Sequence, residues 1–128
     1  MSTDGKRLVS VVDDDESLRR SLRNLLSSVG FRVETFAAAE DFLQSTHRVN
    51  TGCLVLDLRL SGMSGLELLK HLDAIGAPIP TVILTAHDDA EARRQASRAG
   101  AVAFFGKPFD SEVLLDAVRQ ALAQSGHA

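Results

Sequence analysis

Apolar runs and helix-spaced leucines alternate five times along the chain. Residues 8–13 (LVSVVD) and 52–57 (GCLVLD) are near-continuous apolar stretches ending in an acid, the pattern of strands buried on both faces. Residues 31–36 (FRVETF) alternate apolar and polar positions, which suits a half-buried strand at a sheet edge. Residues 81–85 (TVILT) and 101–105 (AVAFF) predict the fourth and fifth strands. Between the strands, Leu18, Leu22, Leu25, Leu26 and Val29 recur at helical spacing, with Gly30 in the place of a cap glycine. A short helix is expected near Ala38–Ser45. Ser64 and Glu67 stand at capping-box spacing and open a third helix, with Leu68, Leu69, Leu72 and Ile75 facing inward. Gly76, Pro78 and Pro80 end it. Asp88 and Glu91 repeat the cap spacing before a fourth helix that turns Ala92, Ala96 and Ala99 inward. Asp110 caps a last helix carrying Val113, Leu114, Ala117, Val118, Ala121 and Leu122.

Five strand–helix units with short connections predict an α/β fold, (βα)5, in which a parallel sheet is covered by helices on both faces through right-handed crossovers. No repeat, low-complexity tract or linker interrupts the pattern, so one domain with a core of about residues 7–124 is expected, with no output domain after the last helix. The terminal QSGHA reads as a frayed tail. The fourth helix differs in kind from the others. An alanine face buries far less apolar area than a leucine face, which at ~25 cal/mol per Å2 makes this the loosely held helix.

Composition narrows the function classes. No apolar run approaches the ~18 residues that would span a bilayer, and the MSTDGKR start lacks a secretory apolar region. A single cysteine allows no internal disulfide, and a cytoplasmic location is expected. Cys53 lies in an apolar strand and reads as a core residue. The net charge is −3, and no basic stripe is interleaved with aromatics, which argues against direct nucleic-acid binding. Arg93, Arg94 and Arg98 read as a solvated helix face.

The polar residues gather at strand ends. The first strand leads into Asp13, Asp14 and Asp15, the third ends in Asp57, the fourth in Thr85 followed by Ala86, and the fifth leads to Lys107-Pro108. The second ends in Phe36-Ala37, with no such chemistry. In open parallel sheets, sites form beyond the carboxyl ends of the strands, so this asymmetry puts a site over the first and third strands and the second at the edge. Two like charges ~5 Å apart repel by roughly 3 kcal/mol at an effective dielectric of ~20. Clustered Asp13, Asp14 and Asp57 must therefore take up protons or bind a cation. All-oxygen donors suit Mg2+, whereas unclustered Cys and His argue against zinc. Glu67 and His71, one helical turn apart, read as a surface pair.

With VVDDD (11–15), LVLDLRLSGMSG (54–65), VILTA (82–86) and GAVAFFGKPF (100–109) in this order, the chain resembles a response-regulator receiver domain of bacterial two-component signalling, and is most similar to receivers of FixJ-like transcription regulators. The resemblance covers nearly the whole chain. It implies a flavodoxin-like sheet of order 2-1-3-4-5. It implies that Asp57 accepts a phosphoryl group from a sensor histidine kinase or phosphotransfer protein. Asp14 would ligate Mg2+, Asp13 would hold a metal-bound water, and Asp57 with the main-chain carbonyl of Arg59 would complete the protein's share. Thr85 would be the switch hydroxyl, Phe104 the aromatic switch residue, and Ala86 and Lys107 would contact the phosphate. The Lys107-Pro108 bond would be cis. The face of the fourth helix, fifth strand and fifth helix would form a homodimer on phosphorylation and control an output, transcription. Such a protein is a signalling switch that catalyses only its own phosphorylation and dephosphorylation.

Three departures and three rivals bear on this reading. Ser61 replaces a proline common in the loop after the phosphoacceptor, which predicts a more mobile loop. Phe104 has no hydroxyl for a hydrogen-bond readout. Arg59 is bulky and cationic beside the acceptor. A Mg2+-dependent phosphohydrolase with an aspartyl intermediate usually carries a second Asp at the position of Arg59. An unphosphorylated docking module would lack one of the ligands, and none is missing. A flavin-binding domain would want aromatic stacking, yet Trp and Tyr are absent.

Overall fold

Alternate residues of the central strands feed two separate cores. In the computed structural model, which describes residues 8–125, Val9, Val11, Cys53, Val55, Val82 and Leu84 pack together on one side. Val12, Leu54, Leu56 and Ile83 pack on the other. The strands are β1 (Leu8–Val12), β2 (Arg32–Phe36), β3 (Thr51–Leu56), β4 (Thr81–Thr85) and β5 (Ala101–Gly106). They form one parallel sheet of order β2-β1-β3-β4-β5, the predicted flavodoxin-like arrangement. The helices are α1 (Glu16–Ser28), α2 (Ala39–Gln44), α3 (Gly65–Ala74), α4 (Ala90–Arg98) and α5 (Ser111–Ser125), with a 3-10 turn at Thr46–Asn50. Helices α1 and α5 cover the first core, through Leu22, Leu26, Leu114, Leu115, Val118 and Ala121. Helices α2, α3 and α4 cover the second.

The caps expected at Ser64 and Asp110 form, and Asp15 caps α1. Asp15 accepts from Ser17 and Leu18 N–H groups at 2.9 and 3.2 Å, and the Ser64–Glu67 box closes reciprocally at 2.9 and 3.1 Å. Asp110 accepts from Glu112 and Val113. The fourth cap differs. Helix α4 begins one residue later than the Asp88–Glu91 spacing predicts, so Asp89 caps it, accepting from Ala92 N–H at 2.8 Å. Asp88 is thereby released to bond Arg93.

Other differences are matters of helical phase and strand end. Ile75, Val29 and Val113 are exposed, while Leu115 is buried. Ile75 and Val29 are the C-cap residues of α3 and α1, where the chain leaves the helix through positive-φ Gly76 and Gly30. In α5 the buried stripe runs through Leu114, Val118 and Ala121, which turns Leu115 inward and Val113 outward. Strands β1 and β3 stop one residue before their acids, and β2 starts after a buried Phe31. Gln124 and Ser125 of the expected tail belong to α5. Residues 1–7 and 126–128, including the rest of that tail, lie outside the described residues.

Candidate functional site

Strand β3 is buried at every position, and its register with β1 sets the site. Val12 pairs with both Phe36 and Leu56, so the two central strands finish level. The ladder then runs one residue further, with Asp57 N–H donating to Val12 O at 3.1 Å and Asp13 N–H to Phe36 O at 3.0 Å. Asp13 and Asp57 therefore emerge side by side, both buried.

Lys107 lies between them. Its Nζ donates to Asp13 Oδ2 at 2.9 Å and to Asp57 Oδ2 at 3.2 Å. The remaining oxygens are used locally: Asp13 Oδ1 accepts from Asp15 N–H at 2.9 Å and Asp57 Oδ1 from Arg59 N–H at 3.1 Å. Asp14 is exposed, and one oxygen from each of Asp13, Asp14 and Asp57 lies within 4.8 Å of the others. Burial pushes the Asp13 carboxyl above its usual range, outweighing the Asp15 N–H and Lys107, which act to lower it. Burial acts to lower Lys107, but its bonds and charge contacts with Asp13 and Asp57 carry it above the usual lysine value. One lysine thus serves two of the three clustered acids. The donor set is hard oxygen with one open, solvent-facing member, which fits Mg2+ and leaves room for waters on the ion.

Thr85 is fully buried at the end of β4, and its Oγ1 accepts from His87 N–H at 3.2 Å. That bond leaves the hydroxyl's own hydrogen to donate elsewhere. Ala86 follows, exposed. Lys107 N–H donates to Thr85 O at 2.9 Å, tying the ends of β4 and β5, and Lys107-Pro108 is cis as the resemblance implies. Phe104 is half-buried against the second core.

The sequence reading missed four contributors. Arg93 is more than a solvated cation: its guanidinium lies 4.8 Å from the centre of the Phe104 ring and forks onto Asp88 at 2.7 and 3.0 Å. Arg19 donates to Asp13 O at 2.8 Å, bracing the acidic turn from α1. Gly65 brings α3 close to the site, since a Cβ there would stand 2.2 Å from Asp57 O. A glycine directly after the Ser64 cap was the legible signal for that approach. Glu40 accepts from Met63 N–H at 2.8 Å across 23 residues, and no local pattern announces it. Glu67 serves the Ser64 cap, and among the described residues no ion pair joins it to His71. Cys53 is a core residue, with burial pushing its thiol up to about 12.

Comparison with known proteins identifies the family and the fold. Residues 9–119 match the family model of the response regulator receiver domain. Nodulation protein W of Bradyrhizobium diazoefficiens is 48% identical over 88% of this chain and 50% of its own length. The response regulator StyR superposes with a TM-score of 0.87 at 51% identity, over 94% of this chain and 61% of that one. FixJ-N superposes with a TM-score of 0.84 at 40% identity, over 96% of each chain. The chain spans about half the length of the curated relatives it matches.

Proposed function

The chain belongs to the response regulator receiver family, and on that premise we propose that it is a phosphoacceptor switch in which Asp57 takes a phosphoryl group from a phosphohistidine. The partner is a sensor histidine kinase or a phosphotransfer protein. The observation that carries this reading is Lys107 bridging two buried carboxylates, Asp13 and Asp57, at the mouth of the sheet. Such an arrangement exceeds what a helix cap or a turn acid requires.

Asp13, Asp14, Asp57 and the main-chain oxygen of Arg59 would hold Mg2+, which when bound neutralises charge on the acceptor and the incoming phosphoryl oxygens. A carboxylate oxygen of Asp57 attacks phosphorus. The O–P bond forms as the N–P bond of the donor breaks, and the electron pair stays with the imidazole nitrogen. Phosphoryl transfer needs positioning and charge stabilisation more than covalent help, and Lys107 supplies a charge that can move from carboxylate to phosphoryl oxygen. The Thr85 hydroxyl donates its hydrogen to the phosphoryl group, and the main chain at Ala86 adds a contact.

The product carries about −1.5 to −2 of charge, which rewards the state with Thr85 drawn inward. Phosphorylation shifts the equilibrium only by its differential interaction with the two states. Phe104 follows Thr85 and leaves Arg93, reshaping the face of α4, β5 and α5, through which two copies pair. The output is control of transcription, as in relatives named transcriptional regulatory proteins. Among the described residues no helix is long and apolar enough to cross a membrane.

Incubation with acetyl phosphate and Mg2+, followed by intact-mass measurement, tests the assignment. A phosphate adduct that disappears in Asp57→Asn is the expected result. No adduct in the presence of Mg2+ would overturn it, and rapid turnover of diverse phosphate esters would favour a hydrolase.

A further inference from the structure

Residues 58–64 connect Asp57 to α3, and apart from the helix start at Ser64, with its capping box, their backbone is tied at three points. Arg59 N–H donates to Asp57 Oδ1 at 3.1 Å, and Gly65 N–H donates to Leu58 O at 3.0 Å. Both ties are internal to the loop and its ends. The third comes from α2, where Glu40 Oε2 accepts from Met63 N–H at 2.8 Å. Among the described residues no other side chain from beyond residues 57–67 hydrogen-bonds to this loop. Gly62, at φ +76°, completes the joint: a Cβ there would stand 2.6 Å from the same Glu40 oxygen. The carboxylate fills the space that a side chain at 62 would need, and glycine also permits the left-handed turn.

A tie from outside matters here because the loop has no proline. Ser61 leaves its φ free where a ring would fix it, and the loop's path then depends on bonds. A hydrogen bond to an ionised carboxylate is among the stronger kinds available to a backbone N–H. Leu58, Leu60 and Met63 pack against the second core, but apolar contact is non-directional and does not set backbone orientation.

We propose that Glu40 is a positioning residue for the phosphoacceptor loop, holding Met63 and Gly62 so that Arg59 presents its N–H to Asp57 and its carbonyl to the metal. The proposal rests on the reading of Asp57 as a Mg2+-dependent phosphoacceptor. Partners that orient metal ligands typically change metal affinity by about tenfold or more when removed. The proposal assigns Glu40 that role from a separate helix. The lowered pKa of its carboxyl, caused first by the Met63 N–H and then by its own backbone N–H, is consistent with a working bond.

The test compares the full chain with Glu40→Ala, Glu40→Gln, Glu40→Asp and the double variant Glu40→Ala/Ser61→Pro. Mg2+ affinity is measured by calorimetry without phosphodonor, Met63 amide exchange by NMR, and phosphoryl uptake from acetyl phosphate by intact mass. Glu40→Ala should weaken Mg2+ binding about tenfold and speed Met63 exchange. Its uptake should be slow at low Mg2+ and recover as Mg2+ saturates. Glu40→Gln keeps an acceptor oxygen and should retain most of the affinity. Glu40→Asp keeps the charge and the helix start but is one methylene short, and should fall with Glu40→Ala. Ser61→Pro should restore affinity in the Glu40→Ala background by stiffening the loop. Unchanged Mg2+ affinity in Glu40→Ala and Glu40→Asp, whatever their unfolding midpoints, would overturn the proposal, as would no recovery with Ser61→Pro. If the wild type binds Mg2+ but takes up no phosphoryl group, the phosphoacceptor reading fails, and the role of Glu40 is still decided by the Mg2+ titrations.

Discussion

Asp13 is held in the fold with its ionised form penalised. Burial raises its pKa above the ordinary 3.8, and the Asp15 N–H and Lys107 do not fully compensate. The sign follows from linkage: a folded-state pKa above the unfolded value gives stability that is full below about 3.8 and is lost as pH rises through the raised value. At neutral pH the fold therefore carries a cost that a neutral isostere would remove. Asp13→Asn keeps an oxygen to accept from Asp15 N–H. It should raise the thermal midpoint at pH 7 without Mg2+, with the gain shrinking toward pH 4. Mg2+ should stabilise the wild type more than the variant. A lower midpoint for Asp13→Asn at pH 7 would show that the Lys107 contact outweighs burial. The same residue illustrates a division of labour: the ionic penalty that weakens the apo fold is what makes the site receptive to a cation.

At the scale of elements, α4 stands apart. Ala96 is its one buried residue among Ala90–Arg98, while α1 and α3 bury leucines. Burial of a large aliphatic side chain is worth about 1.5–3 kcal/mol against leaving it exposed, and an alanine methyl supplies only a fraction of that. Arg93, forked onto Asp88 and lying over Phe104, fastens its first turns, but an ion pair this exposed is screened by solvent and contributes little. Native-state hydrogen exchange should therefore show lower protection in α4 than in α1 or α3. Equal protection across the three helices would contradict this ordering. A helix held this lightly, next to Thr85 and Phe104, suits a segment whose position is to be shifted by one covalent group.

For the molecule as a whole, Lys107 is the long-range tie. In the order β2-β1-β3-β4-β5, the end of β5 is separated from β1 and β3 by β4, and the Lys107 side chain spans that gap to reach Asp13 and Asp57. Its folded-state pKa is raised above 10.5, so its contribution is full below that value and is lost as pH rises through the raised one. Lys107→Met should destabilise the metal-free protein by about 1–3 kcal/mol at neutral pH, since it strands two buried acceptors. It should also flatten the decline in stability that urea titrations are expected to show as pH rises above 10.5. A variant as stable as the wild type, with the same alkaline decline, would remove Lys107 from this role.

The amino-acid sequence by itself determined the order of elements, the two-faced strands and the identity of the acids at their ends, because periodicity and capping act over a few residues. It also predicted the sheet order and the cis Lys107-Pro108 bond, through resemblance to a family whose motifs recur in sequence order. Local phase was less legible. The Asp88–Glu91 spacing pointed to Asp88 as the cap, but α4 starts one residue later and Asp89 takes that place. Ile75 and Val113 carry apolar side chains at near-helical spacing, but whether such a residue faces a core depends on where the neighbouring element lies. Lys107 was placed beside the acids by the strand ends, but its contacts with Asp13 and Asp57, like those of Arg93 with Phe104 and Glu40 with Met63, were decided by tertiary structure. Each joins residues on separate elements. Their partners are selected by the sheet's register and the packing of helices upon it, which no local spacing in the chain encodes.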